Sequence, residues 1–85
     1  MPEVIIYTKK ICPYCVRAKN LLSNKGITNF TQIDIGANPD KVSEMLEKSG
    51  GMRTVPQIFI NGTHVGGFDD LNKLNKNGKL DELLG

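Results

Sequence analysis

Cys12 and Cys15 are the only cysteines in the chain, and just Pro13 and Tyr14 separate them in the run ICPYCVRAK (11–19). Two sulfurs at that spacing suit three chemistries: a structural staple, half of a tetrahedral metal site, or a redox pair that makes and breaks a disulfide. The flanking residues decide between them. VIIYT (4–8) is apolar, β-branched and aromatic, and reads as a buried strand. Pro13 then suits the first turn of a helix, in which YCVRAKNLLSNKG puts Cys15, Ala18, Leu21 and Leu22 on one face, with Gly26 as the stop.

A strand-to-helix junction changes what a sulfur can do. The first helical turn offers unpaired backbone N–H groups and the positive end of the macrodipole, both of which favour thiolate over thiol. A free cysteine with pKa near about 8.5 is only slightly ionised at pH 7, whereas helix-start C-x-x-C pairs reach roughly 3.5–7.5. Lys9, Lys10 and Arg17 push the same way. Cys12, at the helix mouth, is therefore the expected nucleophile. Cys15, one turn further in, is the expected resolving thiol, and Pro13 fixes φ between them. The metal reading lacks nearby partners, because the single histidine, His64, falls in a later hairpin as an expected solvent-facing strand residue. Two copies pooling four thiolates around zinc or an iron–sulfur cluster would meet that objection.

The surrounding chain is small and mixed. Its 85 residues are 39% apolar and 24% charged with a net charge of +2, enough for one domain over 1–85 and one modest core. No stretch approaches the roughly 20 apolar residues of a membrane span, and Met1-Pro2-Glu3 leads into the first strand without a basic leader. A cytoplasmic protein is expected, where a lasting structural disulfide is unusual. Eleven Lys and Arg stand against nine Asp and Glu, with no basic run longer than Lys9-Lys10 and no Trp, so nucleic acid is not an expected partner.

The remaining elements follow from patterning. FTQIDI (30–35) reads as a strand, and Asn38-Pro39 as a cap and first-turn proline for a helix with Val42, Met45 and Leu46 inward, ending at Gly50-Gly51. VPQIFI (55–60), Asn61-Gly62 and THVG (63–66) form a hairpin signal with a type I′ turn. Asp69 is the expected cap of a last helical region carrying Leu71 and Leu74, and KLDELLG (79–85) adds a turn or two. The order β-α-β-α-β-β-α predicts an α/β fold whose first strands pair in parallel and whose hairpin adds antiparallel strands, in one mixed four-stranded sheet.

CPYC (12–15) after a strand ending YTK, TVPQIFI (54–60), and GGFDDL (66–71) together resemble a glutaredoxin of the small bacterial dithiol type, through nearly the whole chain. The resemblance implies a thioredoxin-like fold with a cis Val55-Pro56 peptide facing the cysteines, and glutathione as co-substrate. Carried over by motif, Lys9 contacts a glutathione carboxylate and Tyr14 flanks the mixed disulfide. Thr54, Val55 and Pro56 form the wall that meets the cysteinyl part, while Gly67, Phe68 and Asp69 receive the γ-glutamyl end. Glutathione carries two carboxylates and one ammonium, so cations, helix-start N–H groups and one acid suit it. Lys9 also reads as a solvated lysine, Asp69 as a plain cap and Tyr14 as a surface aromatic.

Phe68 stands where many members carry cysteine, and SGGMR (49–53) is longer than usual before TVP. Either Arg53 or Lys41 is left to meet the second carboxylate. The implied activity is reduction of protein–glutathione mixed disulfides and protein disulfides by a monomer without metal, with ribonucleotide reductase as a family substrate. The rivals are an iron–sulfur carrier built as a glutathione-bridged dimer and a thioredoxin-like reductase. The absent Trp and CPYC in place of W-C-G-P-C argue against the second.

Overall fold

The computed structural model describes residues 2–85. Its elements run β1 (Val4–Thr8), α1 (Pro13–Asn24), β2 (Thr31–Asp34), α2 (Lys41–Lys48), β3 (Gln57–Ile60), β4 (Thr63–Gly66), α3 (Phe68–Lys76) and α4 (Lys79–Leu84). The four strands form one sheet in the order β2-β1-β3-β4. β1 pairs in parallel with β2 and antiparallel with β3, and β3 pairs antiparallel with β4. The mixed sheet read from the sequence is therefore the observed one.

Being central, β1 and β3 are covered on both faces, which is why they read as continuous apolar runs rather than alternating ones. One face buries Val4, Ile6, Ile58 and Ile60 against Ala18 and Leu22 of α1, Leu71 of α3 and Leu80 of α4. The other packs Tyr7 and Phe59 with Ile35 and Met45, the last from α2. Each fully buried Leu or Ile contributes roughly 1.5–3 kcal/mol, so α1 is held to the sheet by the stripe whose first member is Cys15. On the second face the Tyr7 hydroxyl donates to the Glu44 carboxylate at 2.6 Å, tying β1 to α2. Burial, then that hydrogen bond, pushes the Tyr7 phenol above the usual tyrosine range, and the Tyr7 donor holds Glu44 below the usual carboxylate range.

The hairpin turns at Asn61 (φ 50°) and Gly62 (φ 82°), both left-handed, as a type I′ turn requires. Asn61 also locks the turn to the rest of the fold. Its Oδ1 accepts from Glu3 N at 2.9 Å and its Nδ2 donates to Leu83 O at 3.1 Å.

Two expected caps are displaced. α2 starts at Lys41 with Asp40 as its N-cap, not at Pro39 after Asn38. The Asn38 side chain points backward, donating to Asp34 O at 3.0 Å, while its backbone oxygen accepts from Lys41 N at 2.9 Å in a tighter turn. α3 starts at Phe68 with Gly67 as its N-cap, not at Asp69. There Asp70, three residues on, reaches back to accept from the Gly67 N–H at 3.1 Å. β3 is also shorter than its apolar run, because Pro56 has no N–H for the ladder and the Val55-Pro56 peptide is cis.

Candidate active site

Cys12 is the N-cap of α1 in extended conformation (φ −152°, ψ 94°), with Pro13 in the first turn behind it. It is half-buried, whereas Cys15 lies beneath it with 1% of its surface exposed. The two are joined as a disulfide, with their Cα atoms 5.2 Å apart. The Cys15 backbone N–H donates to Cys12 Sγ at 3.1 Å. The same N–H is aimed at the atom that would carry negative charge once the disulfide is reduced, and the first turn of α1 contains no acid to oppose it. The outer sulfur is open to solvent on one side, and the inner one is closed off beneath it.

The cis Val55-Pro56 peptide stands beside the pair, with the Val55 carbonyl oxygen 3.9 Å from Cys12 Sγ. A cleft of about 290 Å³ opens there, lined by Tyr14, Met52, Thr54, Val55, Pro56, Gly67, Phe68, Asp69 and Asp70. Three distant stretches thus meet: the first turn of α1, the bend before β3 and the start of α3. The Tyr14 and Phe68 rings face each other across it with centroids 6.2 Å apart, and the Arg17 guanidinium lies 5.2 Å from the Tyr14 centroid. A second depression of similar size lies over the other sheet face, lined by Glu3, Ile5, Tyr7, Lys48, Phe59 and Gly62, away from both sulfurs.

A glutaredoxin family model matches residues 4–65. The chain is 52% identical over 84 residues to a glutaredoxin of Pseudomonas aeruginosa, covering 99% of this chain and 98% of the relative. It is 54% identical over 84 residues to glutaredoxin 3 of Escherichia coli K12, covering 99% of each. The chain belongs to the glutaredoxin family. It is a glutathione-dependent thiol–disulfide oxidoreductase, and neither the iron–sulfur carrier nor the thioredoxin-like reductase is favoured. Among solved structures it resembles a buckwheat glutaredoxin–glutathione complex, with TM-score 0.86 and 31% identity, over 98% of this chain and 76% of that one. It also resembles the glutaredoxin of Brucella melitensis, with TM-score 0.81 and 56% identity, over 96% and 87%.

Seven of the residues that the motifs assign to glutathione in a glutaredoxin line this one cleft: Tyr14, Thr54, Val55, Pro56, Gly67, Phe68 and Asp69. Lys9 does not; it lies exposed beyond the end of β1, outside the wall. Lys41 is paired with Glu44 at 3.5 Å on α2, and Arg53 is exposed between two residues that line the cleft. The sequence reading missed Met52 and Asp70 as lining residues. Asp70 stands three residues after a glycine that can cap a helix, a spacing signal that the adjacent acid Asp69 blurs. Met52 carried no such mark, because a loop residue comes to the cleft only through the fold around it. Met52 and Tyr14, which both line the cleft, present large apolar side chains to solvent.

Proposed function

We propose that this glutaredoxin removes glutathione from protein–glutathione mixed disulfides, and reduces protein disulfides, with Cys12 as nucleophile and Cys15 as resolving thiol. The Cys12 thiolate attacks the glutathione sulfur; the Cys12–glutathione bond forms and the protein thiolate leaves. A second glutathione thiolate attacks that adduct, forming glutathione disulfide and restoring Cys12. With a protein disulfide, Cys12 first forms a mixed disulfide with the protein. Cys15 then closes on Cys12, the protein dithiol leaves, and two glutathione molecules reopen the pair.

The observation that carries this reading is the meeting of Cys12 with Val55 at the end of a cleft whose far wall is a helix start. Val55 offers a backbone edge to the cysteinyl part of glutathione, beside the reacting sulfur. The unpaired N–H groups of Phe68 and Asp69 suit the γ-glutamyl carboxylate, and the Asp69 carboxylate suits the ammonium. The Gly67 N–H is already taken by Asp70, so its part in this site is to keep the backbone close to the ligand. Lys9 serves from outside the wall, as a cation for a carboxylate that extends past the disulfide. The residues over 1–85 act as a single domain and a monomer in the cytoplasm, where glutathione keeps the thiols reduced; among the described residues no helix is long and apolar enough to cross a membrane. Ribonucleotide reductase is a fitting substrate of the protein-disulfide kind.

The test is a pair of variants assayed with a glutathionylated peptide, glutathione and glutathione reductase. Cys15→Ser keeps deglutathionylation and loses protein-disulfide reduction, while Cys12→Ser loses both. Equal loss of deglutathionylation in the two variants overturns the assignment, and faster turnover with thioredoxin reductase than with glutathione overturns the electron source.

A further inference from the structure

Gln57, the first residue of β3, is fully buried although its amide carries two donors and an acceptor. Both ends are answered. Its Nε2 donates to the Thr54 backbone oxygen at 3.0 Å and to Thr54 Oγ1 at 3.2 Å. Its Oε1 lies 2.8 Å from Nε2 of His64. The Thr54 carbonyl can only accept, so the amide nitrogen must face it and the amide oxygen must face His64. It follows that His64 Nε2 carries a hydrogen and donates it.

His64 is itself placed by packing. It pairs with Phe59 across the hairpin, and the two rings lie 4.9 Å apart at 33°. The register shifts between Ile58 and Phe59, because Ile58 pairs with Gly66 while Phe59 pairs with His64. The Phe59 pairing keeps the exposed imidazole over the same sheet face as Gln57, two residues before Phe59, and the shift falls beyond His64. At the other end of the relay, Thr54 and Val55 belong to no strand, so no ladder holds the edge they offer to the cleft.

We infer that His64 is a positioning residue for the cleft: through Gln57 it fixes the Thr54 carbonyl and hydroxyl, and so the Thr54–Val55 edge beside Cys12. The inference rests on the reading of that edge as the wall that meets glutathione. Without the His64 donor the Gln57 oxygen is left buried with no partner, and only the two bonds to Thr54 still hold the amide. The edge then loosens, and binding of the glutathione moiety weakens while the chemistry at Cys12 is untouched.

The test is steady-state kinetics of the full chain with a glutathionylated peptide. His64→Phe keeps a ring on Phe59 but has no donor. KM for the peptide rises about 3- to 10-fold while kcat stays within about twofold, and His64→Gln, whose amide donates, returns KM to within about twofold of the wild type. Gln57→Glu, which offers Thr54 no donor, shows the same rise. Nitrogen NMR of the neutral imidazole in the unaltered protein shows the Nε2–H tautomer of His64. An Nδ1–H tautomer overturns the inference, and so does a loss of kcat in step with KM that His64→Gln fails to reverse. Asp69→Asn is measured alongside. A raised KM in Asp69→Asn with no change in His64→Phe overturns the relay alone; no change in either removes glutathione from the cleft and overturns both.

Discussion

The Asp70 carboxylate occupies the space that a side chain on Gly66 would need. It turns back to the Gly67 N–H at 3.1 Å, and a β-carbon on Gly66 would run into it. Gly66 also has φ +115°, which L side chains rarely adopt. The end of β4 and the start of α3 therefore share one arrangement, and the cleft wall at Gly67–Asp69 depends on it.

Gly66→Ala should cost about 1–3 kcal/mol through backbone strain and displacement of the cap. Asp70→Ala alone should cost about 1 kcal/mol, the usual loss for a helix-start hydrogen bond. The double variant should lose less than the sum, because removing Asp70 frees the space. Urea unfolding of the three variants checks this, and strictly additive losses would contradict the shared-space argument.

The helix-mouth placement of Cys12 sets its acidity. In the reduced protein its iodoacetamide reaction should rise with pH about a midpoint within roughly 3.5–7.5, well under the value of about 8.5 for an ordinary thiol. Val16 is half-exposed in the first turns of α1, a helix with no acid at its start. Val16→Glu should therefore raise the midpoint by about 0.2–0.7 units without disturbing the core. A wild-type midpoint at the ordinary thiol value would remove the basis for Cys12 as nucleophile.

Tyr7 and Glu44 predict how stability varies with pH. The Tyr7 phenol is raised, so its contribution is complete below about pH 10, the unfolded value, and is lost as pH climbs beyond it. Glu44 is lowered by the hydrogen bond from Tyr7, so its contribution is present above the ordinary carboxylate value of about 4.3 and is lost as pH falls through its lower folded value. Tyr7→Phe should abolish the alkaline fall and shallow the acid one. Urea midpoints measured across pH for both proteins decide it: parallel curves would mean that the pair carries no linkage.

How far the residues alone could lead differs from element to element. β1, β3 and the hairpin were legible because a buried central strand is apolar throughout and Asn61-Gly62 takes two left-handed residues in succession. The starts of α2 and α3 were not. Asn38 had two uses for its side chain, and closing the turn onto Asp34 won over capping. Asp69 and Asp70 are adjacent acids, and only the direction of the Gly67 N–H chooses between them. The cysteine pair announced its chemistry through local rules, since helix start and sulfur are neighbours in sequence. The cleft did not: Tyr14, Thr54 and Phe68 meet through the sheet order, and motif likeness placed them where periodicity had nothing to say. Gln57 looked like one more strand residue until the fold brought His64 and Thr54 to its two ends.

The strand that comes first in the chain is central in the sheet, and its antiparallel neighbour is Gln57–Ile60. During synthesis Cys12 and Cys15 therefore leave the ribosome well before Val55, Gly67 and Asp69 exist to surround them. For that interval the nascent polypeptide displays a bare dithiol with no cradle to choose its reaction partners. Whatever reducing power the surroundings hold is its only protection until the second half of the molecule arrives.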